Sequence, residues 1–183
     1  MKIILQGPPG IGKSTILQKV YTLLEAKNPK GCIVEEERKN GDRVGFIIKY
    51  LPEGDVTRLA SIREKLSDIY LSKYSINIEA IENEMIPYML SMTSDSPHGV
   101  FIFDEIGRMQ QKSEKFLPAV DHIMSISKPV IATIVNDDEI WARKYKNDDR
   151  NFIIKVTELN RDHIANLIKI MFDYHEKYKA LTK

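Results

Sequence analysis

A single cysteine, Cys32, excludes an internal disulfide, so this 183-residue chain folds without covalent staples and suits a reducing, cytoplasmic setting. Long apolar runs are also missing. Val130-Ile131-Ala132-Thr133-Ile134-Val135 is among the longest, and a membrane span needs about twenty residues, so no membrane partner is expected. Met1 to Leu5 runs straight into a glycine-rich loop, so no removable leader is expected. Charge of one sign is lacking: 27 basic and 26 acidic residues leave a formal net charge of +1. That balance argues against a strongly basic nucleic-acid binder and against an acidic solvating chain. His98, His122, His163 and His175 show no ligand spacing, and Cys32 has no evident His or Asp partner, so a zinc site is not expected. Apolar residues at 43% and charged residues at 29% exclude wholesale disorder. No repeat, low-complexity tract or linker divides the sequence, which makes a single monomeric domain over residues 1–183 the expectation. A chain of this length buries about 70% of its unfolded surface, enough for a core.

The patterning alternates between strand and helix. Lys2 to Gln6 is a short apolar run that reads as a buried strand, and from Lys13 to Lys27 helical spacing places Leu17, Val20, Tyr21 and Leu24 on one face. Asn28-Pro29 stops that helix, because the position before proline leaves the α region. Gly31 to Glu37 and Arg43 to Leu51 read as two strands of a hairpin around Lys39-Asn40-Gly41-Asp42. Pro52 to Tyr74 is ambiguous, with a turn at Glu53-Gly54 and helical content after Leu59. Asn77 caps a helix carrying Ile78, Ile81, Met85 and Met89, with a kink or break at Pro87. Ser94 to Gly99 reads as a loop. Val100-Phe101-Ile102-Phe103 is apolar on both faces, as in a strand covered twice. A helix from about Ser113 to Ser127, with a kink expected at Pro118, precedes a strand from Pro129 to Val135. Asn136 to Arg150 reads as a loop with a short helix, and Phe152 to Val156 as the last strand. The final helix starts near Asn160 and turns Ile164, Leu167, Ile168 and Met171 inward. The order predicts an α/β fold: a mainly parallel sheet with helices on both faces, plus an early antiparallel β-hairpin.

Gly7-Pro8-Pro9-Gly10-Ile11-Gly12-Lys13-Ser14-Thr15 matches G-x-x-x-x-G-K-[ST] without exception. Glycines let such a loop curl so that successive amides face phosphate oxygens, and the following helix adds the positive end of its dipole. In this pattern Lys13 reaches the β- and γ-phosphates and the Ser14 hydroxyl ligates Mg²⁺. Chance produces the match in roughly one sequence of this length per hundred or fewer. Asp104-Glu105 closes the apolar run after Val100 and reads as a second half of the same site. A strand beside the loop's strand delivers Asp104 to Mg²⁺, and Glu105 aligns or deprotonates a water at the γ-phosphate.

Phosphoryl transfer also draws on a cation besides Lys13 and the metal. Arg108 is favoured, since it follows Glu105 closely, with Arg38 and Arg43 beside the hairpin as alternatives. Each arginine taken singly is otherwise a solvated surface charge. The patch Arg143-Lys144-Tyr145-Lys146 sits among Asp137, Asp138, Asp148 and Asp149 and does not read as a nucleic-acid surface. Asn160-Arg161-Asp162 lies where the last strand becomes the last helix. Asn160 there is either a helix cap or a contact to base or ribose.

These segments together resemble the thermophilic nucleoside-triphosphatase family, also called cancer-related nucleoside triphosphatases. The likeness includes the phosphate loop, Glu36-Glu37-Arg38-Lys39-Asn40-Gly41-Asp42-Arg43-Val44-Gly45-Phe46 and Lys73-Tyr74-Ser75-Ile76-Asn77-Ile78-Glu79. It continues through Asp104-Glu105-Ile106-Gly107-Arg108-Met109, Lys128-Pro129-Val130-Ile131-Ala132-Thr133 and Val156-Thr157-Glu158-Leu159-Asn160-Arg161-Asp162. The resemblance implies a RecA-like P-loop enzyme that uses Mg²⁺ to hydrolyse several nucleoside triphosphates. Four positions depart from the family pattern: Glu37 for an apolar residue, Ser75 for glycine, Arg108 for lysine and Gln110 for glutamate.

The leading function is therefore Mg²⁺-dependent hydrolysis of ATP, GTP, CTP, UTP and TTP. A nucleoside or nucleotide kinase on the same scaffold is the first alternative, with an acceptor pocket between Pro52 and Tyr74. A slow nucleotide-responsive switch is the second, although the sequence lacks an N-K-x-D element for guanine. It also lacks an L-S-G-G-Q run of transport ATPases.

Overall fold

Side chains in an extended run alternate between two faces, so a run without polar positions must be covered twice. The computed structural model, which describes residues 1–92 and 96–181, meets that requirement with one mixed sheet between two helical layers. β1 (Lys2–Gln6) leads through the glycine-rich loop to α1 (Lys13–Leu23) and a 3-10 turn at Glu25–Lys27. β2 (Pro29–Lys39) and β3 (Asp42–Leu51) form the hairpin around Asn40-Gly41. β4 (Val56–Ser61), β5 (Tyr70–Leu71) and β6 (Tyr74–Ile76) extend it. α2 (Ile78–Ala80) passes through a π-helical turn, Ile81–Met85, into α3 (Ile86–Leu90). Then come β7 (Val100–Ile106), α4 (Phe116–Ser125), β8 (Val130–Ile134), α5 (Ile140–Lys146), β9 (Asn151–Lys155) and α6 (Arg161–Leu181).

The described residues build nine strands in the order β5-β6-β4-β3-β2-β7-β8-β1-β9. From β2 to β9 the neighbours are parallel, and from β2 to β5 they are antiparallel. The expected α/β class and early hairpin are therefore present. Ile3, Leu5, Val100, Ile102 and Ile131 face the layer made by α1 and α6. Ile4, Phe101, Phe103, Val130 and Ala132 face the layer holding α3, α4 and α5. Asn77 caps α2 as expected, its Oδ1 accepting from the Ala80 amide at 3.0 Å. Pro118 falls in the first turn of α4, where its missing N–H costs nothing.

Four expectations need correction. The segment after Leu59 is not helical: β4 pairs along the open edge of β3, and Leu59 and Ala60 are buried there. Sheet pairing outweighs local propensity at such an edge. The strand carrying Asp104 does not neighbour the loop's strand, because β8 lies between β7 and β1. The first helix ends at Leu23, four residues early, and Asn28 takes φ +49° just before Pro29. Leu167 faces outward, whereas Ile164, Ile168 and Phe172 are buried. The loop expected over 94–99 lies partly outside the described residues.

Lys2, at the start of β1, buries its ammonium against the carbonyls of Ile123 (3.3 Å), Ile126 (2.8 Å) and Lys128 (2.9 Å). Those acceptors belong to the end of α4 and the turn before β8, whose exposed carbonyls need donors. β2 can approach β7 because Gly31 has no side chain: a Cβ there would lie 1.7 Å from the Ile102 carbonyl oxygen. Gly31→Ala should therefore cost at least about 2 kcal/mol of unfolding free energy in a denaturant titration. A change within error would show that the two strands are not held at this spacing.

Candidate active site

Gly10 and Gly12 take φ of +77° and +104°, which L side chains rarely adopt, and this curls the loop above the end of β1. α1 begins at Lys13, so its dipole presents positive charge to the loop. The Lys13 ammonium folds back over the loop and donates to the carbonyls of Gly7 (2.8 Å) and Pro8 (3.3 Å).

Asp104 comes from the far side of β8. Between Phe103 and Ile106 the β7–β8 register slips, so Asp104 and Glu105 stand out of the ladder. The peptide joining them is cis. The Ser14 hydroxyl donates to Asp104 Oδ2 at 2.5 Å, and the Thr133 hydroxyl donates to Asp104 Oδ1. Asp104 is buried, and burial pushes its carboxyl pKa up; the two hydroxyls and the Lys13 charge oppose that rise without cancelling it. Glu105 is raised to about 7, first by burial and then by the neighbouring Asp104, with Lys13 pulling the other way. Loop, strand tip and β8 thus converge on one anionic centre. Thr133 was not singled out in the sequence; its signal is a hydroxyl inside an otherwise apolar strand.

The loop opens into a cavity of about 640 Å³. Its wall includes Gly7, Pro9, Gly10, Gly12, Lys13, Ser14 and Thr15 from the loop, and Asp104, Glu105, Arg108 and Gln110 from the end of β7 and beyond. Pro8 and Ile11 belong to the loop without facing the cavity. The cavity runs away from β9, across the ends of β7 and β2, to Val34, Phe46, Leu59 and Leu71.

Arg108 reaches the wall but is held by two carboxylates, Asp137 and Glu139, each at 2.7 Å. Arg38 and Arg43 both bond Glu36; Arg43 also donates to the Tyr74 hydroxyl at 3.0 Å. Gln110 is buried, with an Oε1 that has no hydrogen-bond partner. Asn160 lies outside the cavity wall. Its Oδ1 accepts from the Thr157 amide (2.8 Å) and its Nδ2 donates to the Lys155 carbonyl (2.9 Å), so the side chain braces the β9–α6 turn. This bracing is neither the forward helix cap nor the base or ribose contact between which the sequence left Asn160 open.

The basic run after Trp141 is engaged locally: Arg143 pairs with Asp138, Lys144 with Asp121, and Lys146 bonds the carbonyls of Asn136 and Asp137. The Cys32 thiol is fully buried, and burial pushes its pKa up, as for a core residue.

The folded value of Glu105, about 7, lies above the ordinary value of 4.5. Between these the folded state holds the extra proton, so this stabilising contribution is complete below pH 4.5 and is lost as the pH rises through 7. Glu105→Gln should consequently raise the thermal midpoint of the ligand-free protein more at pH 8 than at pH 5. Equal shifts at both values would place the carboxylate in water.

A family model described as NTPase matches residues 2–169. A protein named nucleoside-triphosphatase THEP1, from Thermotoga sp. (strain RQ2), is 33% identical over 180 residues, covering 98% of this chain and 99% of the relative. Another of that name, from Methanocaldococcus jannaschii, is 32% identical, covering 90% of this chain and 92% of the relative. The crystal structure of THEP1 from Aquifex aeolicus superposes with a TM-score of 0.80 at 32% identity, covering 92% of this chain and 96% of that one. The solution structure of a human cancer-related nucleoside triphosphatase gives 0.78 at 25% identity, covering 93% and 96%.

Proposed function

The chain belongs to the NTPase family, and from that premise we propose that it hydrolyses nucleoside 5′-triphosphates to diphosphate and phosphate in the cavity above β1, β8 and β7. The observation that carries this is the 2.5 Å contact between Ser14 and Asp104, which joins the phosphate loop to the acidic strand tip. ATP, GTP, CTP, UTP and TTP are the proposed substrates. A cytoplasmic location belongs to the same reading, supported by the lone unpaired Cys32. Among the described residues no helix is long and apolar enough to cross a membrane.

Mg²⁺ fits the residues present. Ser14 and Asp104 offer hard oxygen ligands, and Asp104 is a buried carboxylate bonded by hydroxyls, with no ion-paired cation among the described residues. No cluster of three or more His, Cys, Asp or Glu surrounds it among the described residues. That agrees with an ion that takes its other ligands from phosphate and water. When bound, Mg²⁺ neutralises charge building on the phosphate oxygens.

The chain does the rest. Lys13 exchanges the carbonyls of Gly7 and Pro8 for β- and γ-phosphate oxygens, while loop amides and the α1 dipole hold the chain of phosphates. Glu105 takes a proton from the attacking water; a carboxylate near pH 7 is matched to that work at neutral pH. Arg108 supplies the additional cation by trading one of its two carboxylate partners for the γ-phosphate. Asn160 takes no direct part in this reading: its amide braces the β9–α6 turn, outside the cavity wall.

In a hydrolysis panel over the five triphosphates, Lys13→Ala should abolish turnover and weaken binding. Glu105→Gln should keep binding and lose about 10²–10⁴-fold in kcat. Full activity in Glu105→Gln would remove it as the base. Chelating divalent metal should stop the wild-type enzyme.

One observation favours a second reading, phosphoryl transfer to a hydroxyl acceptor: beyond Glu105 the cavity continues along a second wall, where Val34, Phe46, Leu59, Leu71 and Met109 stand with the charged Glu35, Glu36, Arg38 and Arg43. Water alone needs no such wall. With γ-labelled ATP and a nucleoside or nucleoside monophosphate, label on the acceptor favours transfer. Label found only on inorganic phosphate favours hydrolysis.

A further inference from the structure

Where Asp104 and Glu105 leave the ladder, the chain that follows is pinned at once. Ile106 pairs again opposite Ile134, and its carbonyl accepts from the Val135 amide at 3.3 Å. One residue on, the Gly107 carbonyl accepts from the Gln111 amide at 3.0 Å. Gly107 is buried between these anchors, so the direction in which a side chain would leave it is set. A Cβ there would lie 2.5 Å from Glu105 Oε1, 2.6 Å from Glu105 Cγ and 2.8 Å from Gln110 Oε1. All three separations fall well inside ordinary van der Waals contact, about 3.5 Å. The space that a side chain would fill is occupied by the Glu105 carboxyl on one side and the Gln110 amide on the other. Both of those residues belong to the cavity wall.

Glu105 depends on that space, because bonding does not aim it. Among the described residues neither a hydrogen bond nor an ion pair fixes its carboxyl. Gln110 Oε1 is buried without a hydrogen-bond partner, and an amide oxygen cannot hold a carboxylate, since both only accept. Shape is what remains. We propose, on the reading of Glu105 as the base for the attacking water, that Gly107 is a positioning residue for triphosphate hydrolysis. Its missing side chain is the seat that turns the Glu105 carboxyl toward the cavity, with Gln110 as the opposite wall of that seat.

Crowding at this position has one easy outlet. Gly107 does not take a positive φ, so alanine brings no backbone strain and the contacts with side chains are the whole effect. The crowded atoms belong to two flexible side chains, whereas the backbone on either side is bonded in place. A methyl group is accommodated by swinging Glu105, which costs aim and not fold. None of the three crowded atoms comes from the phosphate loop or from Asp104, so the groups that hold nucleotide stand apart. A reacting group misplaced by about 1 Å can lose about 10²-fold in rate.

Gly107→Ala in the full chain should lower kcat roughly 10²-fold, with KM, the Kd for a fluorescent ATP analogue and the melting temperature little changed. In the Glu105→Gln background the same substitution should cost nothing further, because its route to the reaction is already closed. Gln110→Ala added to Gly107→Ala should not restore the rate. A crystal structure of Gly107→Ala should show the Glu105 side chain turned away over an unmoved backbone. Full activity in Gly107→Ala, with Glu105→Gln inactive, overturns this inference and leaves the base in place. Full activity in Glu105→Gln overturns both. The inference also falls if the melting temperature drops sharply, if the losses from positions 105 and 107 multiply, or if Gln110→Ala restores the rate. It falls equally if Glu105 keeps its place in the Gly107→Ala crystal.

Discussion

The contact on which the site depends is a small one: a serine hydroxyl and a threonine hydroxyl sharing the two oxygens of Asp104. A buried carboxylate without partners would take up a proton or water. Here it is satisfied by groups from two other segments, the start of α1 and the strand β8. The bonds tie three stretches of chain that are far apart in sequence. Because β8 separates β1 from β7, no backbone ladder joins the loop's strand to the acidic one. The backbone connects them only through β8, and the direct link is made by side chains at the end of the sheet.

Around this point the environment does two things at once. Exclusion of water makes charge expensive, which raises Glu105 and Asp104 together. The same exclusion strengthens every electrostatic contact made there. Lys13 is the counterweight, and in the ligand-free chain it rests on the loop's own carbonyls, so no charge is left stranded. Arg108 is treated similarly, neutralised by Asp137 and Glu139.

Much of this was legible in the residues. The glycine-rich loop and Asp104-Glu105 carry local signatures, and the two-sided apolar runs foretold a covered sheet. What escaped has a common cause, that it depends on pairing between distant segments. β4 is a strand because β3 offers an open edge, and nothing in Val56–Ser61 announces that. Thr133 matters only because β8 lies between the two motif strands. The amide of Asn160 turned back into its own turn, a third outcome beside the cap and the base or ribose contact that its position offered. Leu167 sits at a helical spacing compatible with the core, yet the arc that packs is set by Ile164, Ile168 and Phe172.

The sheet is also divided in its labour. The glycine-rich loop, the acidic tip and the hydroxyls that hold it come from β1, β7, β8 and the start of α1, all in the parallel half. Val34, Phe46, Leu59 and Leu71, the opposite wall of the cavity, come from the hairpin and its antiparallel continuation. None of these four residues pairs in the parallel ladders that carry the loop and Asp104. What the far wall admits and how Asp104 is held are thus set by different strands of one sheet.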